Sequence, residues 1–135
     1  MSQENHTVGI AVTCVDARLH KETITPQLRD HLGVDSVYVW TTAGPEARIM
    51  ADNHHLAALM DDLELLIAAK DAKVIGVVGH CDCAGHPVSD EQHVKDVVRS
   101  VAILQERLPN LNIVPLLAHP PQEEMVSVWE IRKIS

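Results

Sequence analysis

The sequence predicts an α/β fold: a three-layer domain in which helices flank a mostly parallel four-stranded sheet, with a candidate antiparallel edge strand at the C-terminus. Two observations predict it. Short runs of continuous apolar, β-branched residues recur along the chain, as in strands buried on both faces. Longer segments with apolar residues at helical spacing lie between them, and such alternation implies right-handed crossovers and a parallel sheet. At 135 residues, with no repeat and no linker, the chain reads as one domain spanning 1–135.

Each element has its own signal. Residues 8–13 (VGIAVT) read as the first buried strand. Residues 22–32 look helical, with Pro26 near the start. Residues 36–40 (SVYVW) form a second strand, and Gly44-Pro45 marks the loop after it. A long helix is expected from about residue 47 to 70, because Met50, Leu56, Leu59, Leu63, Leu66 and Ile67 recur at helical spacing. Residues 73–79 (KVIGVVG) are a third strand. Ser89-Asp90-Glu91-Gln92 is a capping-box pattern opening a helix to about Leu108. Its inner face is expected to carry Val94, Val97, Val98, Val101 and Leu104. Residues 112–118 are a fourth strand, and 124–131 alternate in strand fashion.

Composition bounds the function. Apolar residues make up 46%, with no Phe, one Tyr and two Trp, so the core is aliphatic. The formal net charge of −8 argues against a nucleic-acid groove, which needs a basic stripe, and against docking on anionic lipid. The polar N-terminus and the short apolar runs suggest a soluble, cytoplasmic protein without membrane contact. Three Cys do not resemble a secreted disulfide scaffold; in a reducing compartment, clustered Cys and His point to metal or catalysis.

Two motifs fall at strand ends, where ligands collect in open α/β sheets. The first is Cys14-Val15-Asp16-Ala17-Arg18. Continued strand geometry would point Cys14, Asp16 and Arg18 the same way, and Arg18 could hold Asp16 through a charge-assisted fork. The second is Gly79-His80-Cys81-Asp82-Cys83-Ala84-Gly85, where a turn would bring His80 and Cys83 to one point. Two thiolates, an imidazole and a carboxylate make a plausible tetrahedral zinc set.

C-x-D-x-R after a first strand, followed by G-H-x-D-C-x-G after a later one, resembles the zinc signature of the β-class carbonic anhydrases. The order of strands and helices is similar over most of the chain. The resemblance implies Zn2+ bound by Cys14, His80 and Cys83. It makes Asp16 either the fourth ligand or, paired with Arg18, the group that steers a zinc-bound water. The implied activity is reversible hydration of carbon dioxide to bicarbonate through hydroxide at the zinc. Two thiolates neutralise the ion, so that hydroxide should form mainly above neutral pH. The resemblance also implies a homodimer or higher homo-oligomer. One segment departs from the family pattern: Thr41-Thr42-Ala43-Gly44-Pro45 stands where members commonly carry a basic residue and then Asn-Ala-Gly-Asn, and only Ala43 and Gly44 match.

Alternatives remain open on the sequence. The same site could hydrolyse carbonyl sulfide or carbon disulfide. With Asp16 on the metal it would be a closed, non-catalytic zinc domain. A thiol redox pair of Cys81 and Cys83 is a weaker reading, since that spacing strains a disulfide. Cys81 reads as a packed thiol and Asp82 as a partner of the turn backbone; His86 reads first as a plain loop residue, with orienting a metal ligand or replacing Asp16 on the metal as alternatives. Trp40 and Trp129 read as core or interface residues.

Overall fold

The computed structural model describes residues 6–19, 21–121 and 128–134. Its elements are β1 (Val8–Cys14), α1 (Lys21–Leu32), β2 (Ser36–Thr42), α2 (Pro45–Met50), α3 (His54–Lys70), β3 (Val74–His80), α4 (Asp90–Arg107), β4 (Asn112–His119) and β5 (Glu130–Lys133). The strands form one sheet in the order β2-β1-β3-β4-β5, parallel except for the antiparallel β4–β5 pair. The expected α/β architecture is therefore present, and the C-terminal edge strand is its fifth strand. Residues 124–127 of the expected edge lie outside the described residues.

The chain leaves β1 toward β2 on one side and reaches β3 on the other. That reversal distributes the helices over both faces. Ile24, Leu28 and Leu32 of α1 pack with Ala11, Val74, Val78, Val114 and Leu116 on one face. Ile49 of α2, Leu56, Leu59 and Leu63 of α3, and Val97 and Leu104 of α4 pack with Ile10, Val12, Ile75 and Val77 on the other. Fully burying each such Val, Leu or Ile side chain contributes about 1.5–3 kcal/mol. All seven residues of β3 are buried, as a central strand requires. Among the described residues, no helix is long and apolar enough to cross a membrane.

Two expectations are corrected. The single helix over 47–70 is instead two. Asp52 takes a positive φ of 49° and Asn53 caps α3, its side chain accepting from the His55 amide. Asn and Asp tolerate that left-handed conformation and stop a helix locally, while the apolar repeat runs on across the break. The inner face of α4 is also rotated from the expected valine stripe. Ser89 does cap the helix through the Gln92 amide, but the buried residues are His93, Asp96, Val97, Ser100 and Leu104, and Val98 is 46% exposed. This rotation carries polar groups into the interior.

Candidate metal centre

β1 ends at Cys14 and β3 ends at His80, on neighbouring strands of the sheet. Beyond His80 the chain turns, with Asp82 at a φ of 55°, and brings Cys83 back. The Cys14 and Cys83 sulfurs are 3.8 Å apart. One donor atom from each of Cys14, His80 and Cys83 lies within 4.8 Å of the others, and all three residues are buried. Cys81 lies outside this group and packs against the α1-side core. The His80 Nδ1–H can donate to the Cys81 carbonyl at 2.8 Å, which turns the Nε2 lone pair inward. That Nε2 is buried without a hydrogen-bond partner.

The thiols are electrostatically unequal. Burial pushes Cys14 up, but the neighbouring His80 imidazole and the backbone at Gly44 and Asp16 outweigh it and hold the thiol below its ordinary range. Burial, followed by repulsion from Cys14, pushes the Cys83 thiol up. The second thiolate therefore forms poorly until a positive charge enters. Two sulfurs each about 2.3 Å from a tetrahedral zinc would stand about 3.8 Å apart, which is the spacing found here. This donor set fits a soft divalent ion, and a metal would give the orphaned His80 nitrogen a partner.

Asp16 and Arg18 do not continue the strand as expected; a turn joins them. The Asp16 carboxylate accepts from the Arg18 backbone amide at 2.8 Å, from Nε at 3.0 Å and from Nη2 at 2.8 Å. Arg18 also reaches Asp82, through the carboxylate at 3.0 Å and the carbonyl at 2.8 Å. So Asp82 serves Arg18. The guanidinium bonding holds Asp16 down to about 2. Its Oδ2 stands 3.9 Å from His80 Nε2, beside the three-residue group.

Trp129 completes this side. Its ring stacks under the Arg18 guanidinium at 4.7 Å and meets His80 edge-on, with centroids 6.0 Å apart. α1 fixes it in place: Gln27 donates to the Trp129 carbonyl at 2.9 Å and accepts from the Ile131 amide at 2.7 Å. A chain without Phe thus still lines the site with an aromatic ring, supplied from the C-terminal segment.

A family model described as "Putative carbonic anhydrase" matches residues 4–130. The chain belongs to that family. No curated protein matches it. Membership of this carbonic anhydrase family implies a metal, and the Cys14, His80 and Cys83 group supplies a site for one.

Sequence reasoning missed a second group. One donor atom from each of Glu46, His86 and His93 also lies within 4.8 Å of the others. Glu46 and His93 are fully buried. Both oxygens of Glu46 and both ring nitrogens of His93 lack a hydrogen-bond partner. His86, in the β3–α4 loop, is half-buried; its Nε2 is 2.6 Å from Asp96 Oδ2, and Asp96 is steadied in turn by Gln92 at 2.8 Å. Two glycines bring these elements together. A Cβ on Gly44, which has a φ of 61°, would meet the Gly85 backbone at 2.7 Å, and a Cβ on Gly85 would meet Ala43 and Gly44 as closely. The departure from the family pattern at residues 41–45 therefore leads directly into a buried glutamate.

Proposed function

We propose that the protein catalyses the reversible hydration of carbon dioxide to bicarbonate, with a zinc ion held by Cys14, His80 and Cys83. The observation that carries this reading is the convergence of two buried sulfurs and an orphaned imidazole nitrogen at two strand ends, in a member of the carbonic anhydrase family. When bound, zinc supplies Lewis acidity, which lowers the pKa of water at its open position.

The chain's own residues do the rest. The Cys81 carbonyl holds the His80 tautomer and ring orientation. Arg18 keeps Asp16 turned aside, and Asp82 and Trp129 keep Arg18 in place. Asp16 Oδ2 accepts a hydrogen bond from the attacking water and so aims its free lone pair at the carbon of the substrate. A carboxylate held at about 2 is too weak a base to keep the proton, which passes to solvent. Asp16 orients; it does not store charge.

The Asp16–Arg18 fork favours this reading over a metal closed by Asp16, because closure would require that fork to break. The same residues would serve hydrolysis of carbonyl sulfide or carbon disulfide, and a substrate panel separates these. The reading includes a homodimer or higher homo-oligomer, located in the cytoplasm. β2 is a sheet edge that stays half-buried to exposed along its length, a surface a second copy could cover; light scattering measures this.

Stopped-flow hydration of carbon dioxide from about pH 6.5 to 9 is the direct test. Zinc-loaded protein is expected to show a rate rising above neutral pH, and Cys83→Ser to show none. A flat result with zinc held and the Cys14 and Cys83 thiols protected by it would reject the reading.

A further inference from the structure

We infer that Glu46, His86 and His93 form a second metal site, separate from the thiolate group, for a first-row divalent cation such as zinc. Nothing in the carbon dioxide reading needs it.

The case begins with unmet bonding. Glu46 and His93 sit at 0% exposure with four polar side-chain atoms unpartnered. Buried polar groups left unpaired are costly and seldom persist without a ligand or water to satisfy them. These atoms come from the first turns of α2 and α4, and His86 joins them from the β3–α4 loop. His86 and His93 meet edge-on, with ring centroids 5.4 Å apart. A single cation would satisfy a donor on each.

The donor types select the ion. Two imidazoles and one carboxylate suit zinc, iron or cobalt better than magnesium or calcium, which favour all-oxygen shells. The surroundings resemble those of a built site. His86 Nε2 on Asp96, with Gln92 behind, is the carboxylate–imidazole pairing that orients metal-bound histidines, leaving the other ring nitrogen for the ion. Electrostatics agree. Burial pushes Glu46 up to about 7 and holds His93 low. A cation would favour the ionised carboxylate and the neutral imidazole together.

The two groups are distinct. Successive strand residues face opposite ways. Gly79 faces Glu46 and Val97 in the α2–α4 layer, whereas His80 stands beside Trp129, within the core on the α1 side.

The test is zinc titration of the full chain, stripped of metal and kept reduced, against a chromophoric chelator, with thiol alkylation followed in parallel. The wild type is expected to bind two equivalents. Glu46→Gln and His93→Gln should each lose one while the thiols stay protected. Cys83→Ser should lose the other and keep the one that depends on His93. His86→Ala, at a half-buried position, gives a variant less dependent on core packing, and circular dichroism checks the fold of each. A single equivalent in the wild type that protects the thiols and survives Glu46→Gln, or two retained in folded Glu46→Gln and His86→Ala, would overturn the inference. Thiols left unprotected while one equivalent still depends on Glu46 would support this site and instead defeat the thiolate reading.

Discussion

Gly79→Ala is expected to destabilise the protein far more than one methyl group suggests. A Cβ at this position would lie 2.5 Å from Val97 Cγ2 and 2.6 Å from Glu46 Oε2. Both neighbours are at 0% exposure, so neither can swing into solvent. Overpacking of this kind costs about 1–3 kcal/mol, and two simultaneous clashes place it in the upper half of that range. For 135 residues, an unfolding entropy of roughly 2.1 cal/mol/K per residue gives about 280 cal/mol/K in total, so each kcal/mol lowers Tm by about 3.5 °C. The expected fall is thus about 7–10 °C by scanning calorimetry. Val97→Ala removes the Cγ2 clash, so in a double-mutant cycle Gly79→Ala should cost measurably less in that background. A fall under about 2 °C, or strict additivity with Val97→Ala, would refute the placement of Glu46 and Val97 against β3.

Three further outcomes follow from the same geometry. Arg18→Ala should lower carbon dioxide hydration by roughly 10²-fold, with Arg18→Lys intermediate because a lysine cannot reproduce the fork on Asp16; equal kcat in all three would count against the steering role. Asp16 is held at about 2 by Arg18, below its unfolded value, so its contribution to stability is complete above about pH 4 and is lost as pH falls through about 2; thermal melts of wild type and Asp16→Asn should converge near the acid end. In metal-stripped protein Glu46 is raised by burial to about 7, so the unfolded chain releases that proton first and stability falls as pH rises from about 4.5 to 7, by about 3 kcal/mol in all; metal-free Glu46→Gln should therefore gain stability on wild type at pH 8 but not at pH 4.5, and a gain equal at both would contradict it.

Continuous apolar strands were legible because burial on both faces leaves no room for polar residues, and β3 is the clearest case. The Cys14, His80 and Cys83 group was legible because strand ends fix where such residues collect, even though the motifs lie far apart in sequence. What the sequence concealed was set by tertiary contact. Glu46 follows Gly44-Pro45 in the first helical turn, where an acid ordinarily faces water and the helix dipole alone accounts for it. Only the close approach of the Gly44 and Gly85 backbones buries it. The α4 stripe misled for the same reason: valines at 94, 98 and 101 fit the helical period as well as the buried set of His93, Asp96 and Ser100 does. Period alone cannot tell which of two adjacent faces turns inward. Trp129 was visible as a core or interface residue, but its place over Arg18 depends on the α1 clamp through Gln27, more than a hundred residues away in sequence.

The end of β3 explains why two polar groups can be buried so close together. One residue has no side chain and the next has an imidazole, and the strand's alternation sends them to different layers. Gly79 leaves the space that Glu46 fills, so the carboxylate can sit against the sheet without reaching the thiolates. His80 uses the same strand end to face Cys14 and Cys83. The two sets are separate clusters with no direct hydrogen bond between them, although Glu46 still feels the charges of His80 and Cys14. A substitution at Gly79 consequently separates the two: it presses first on the Glu46 side, while His80, Cys14 and Cys83 are displaced only if the strand itself moves. If thiol protection in the zinc-loaded protein survives Gly79→Ala while the equivalent that depends on Glu46 is lost, the strand acts as a partition between two sites rather than the wall of one.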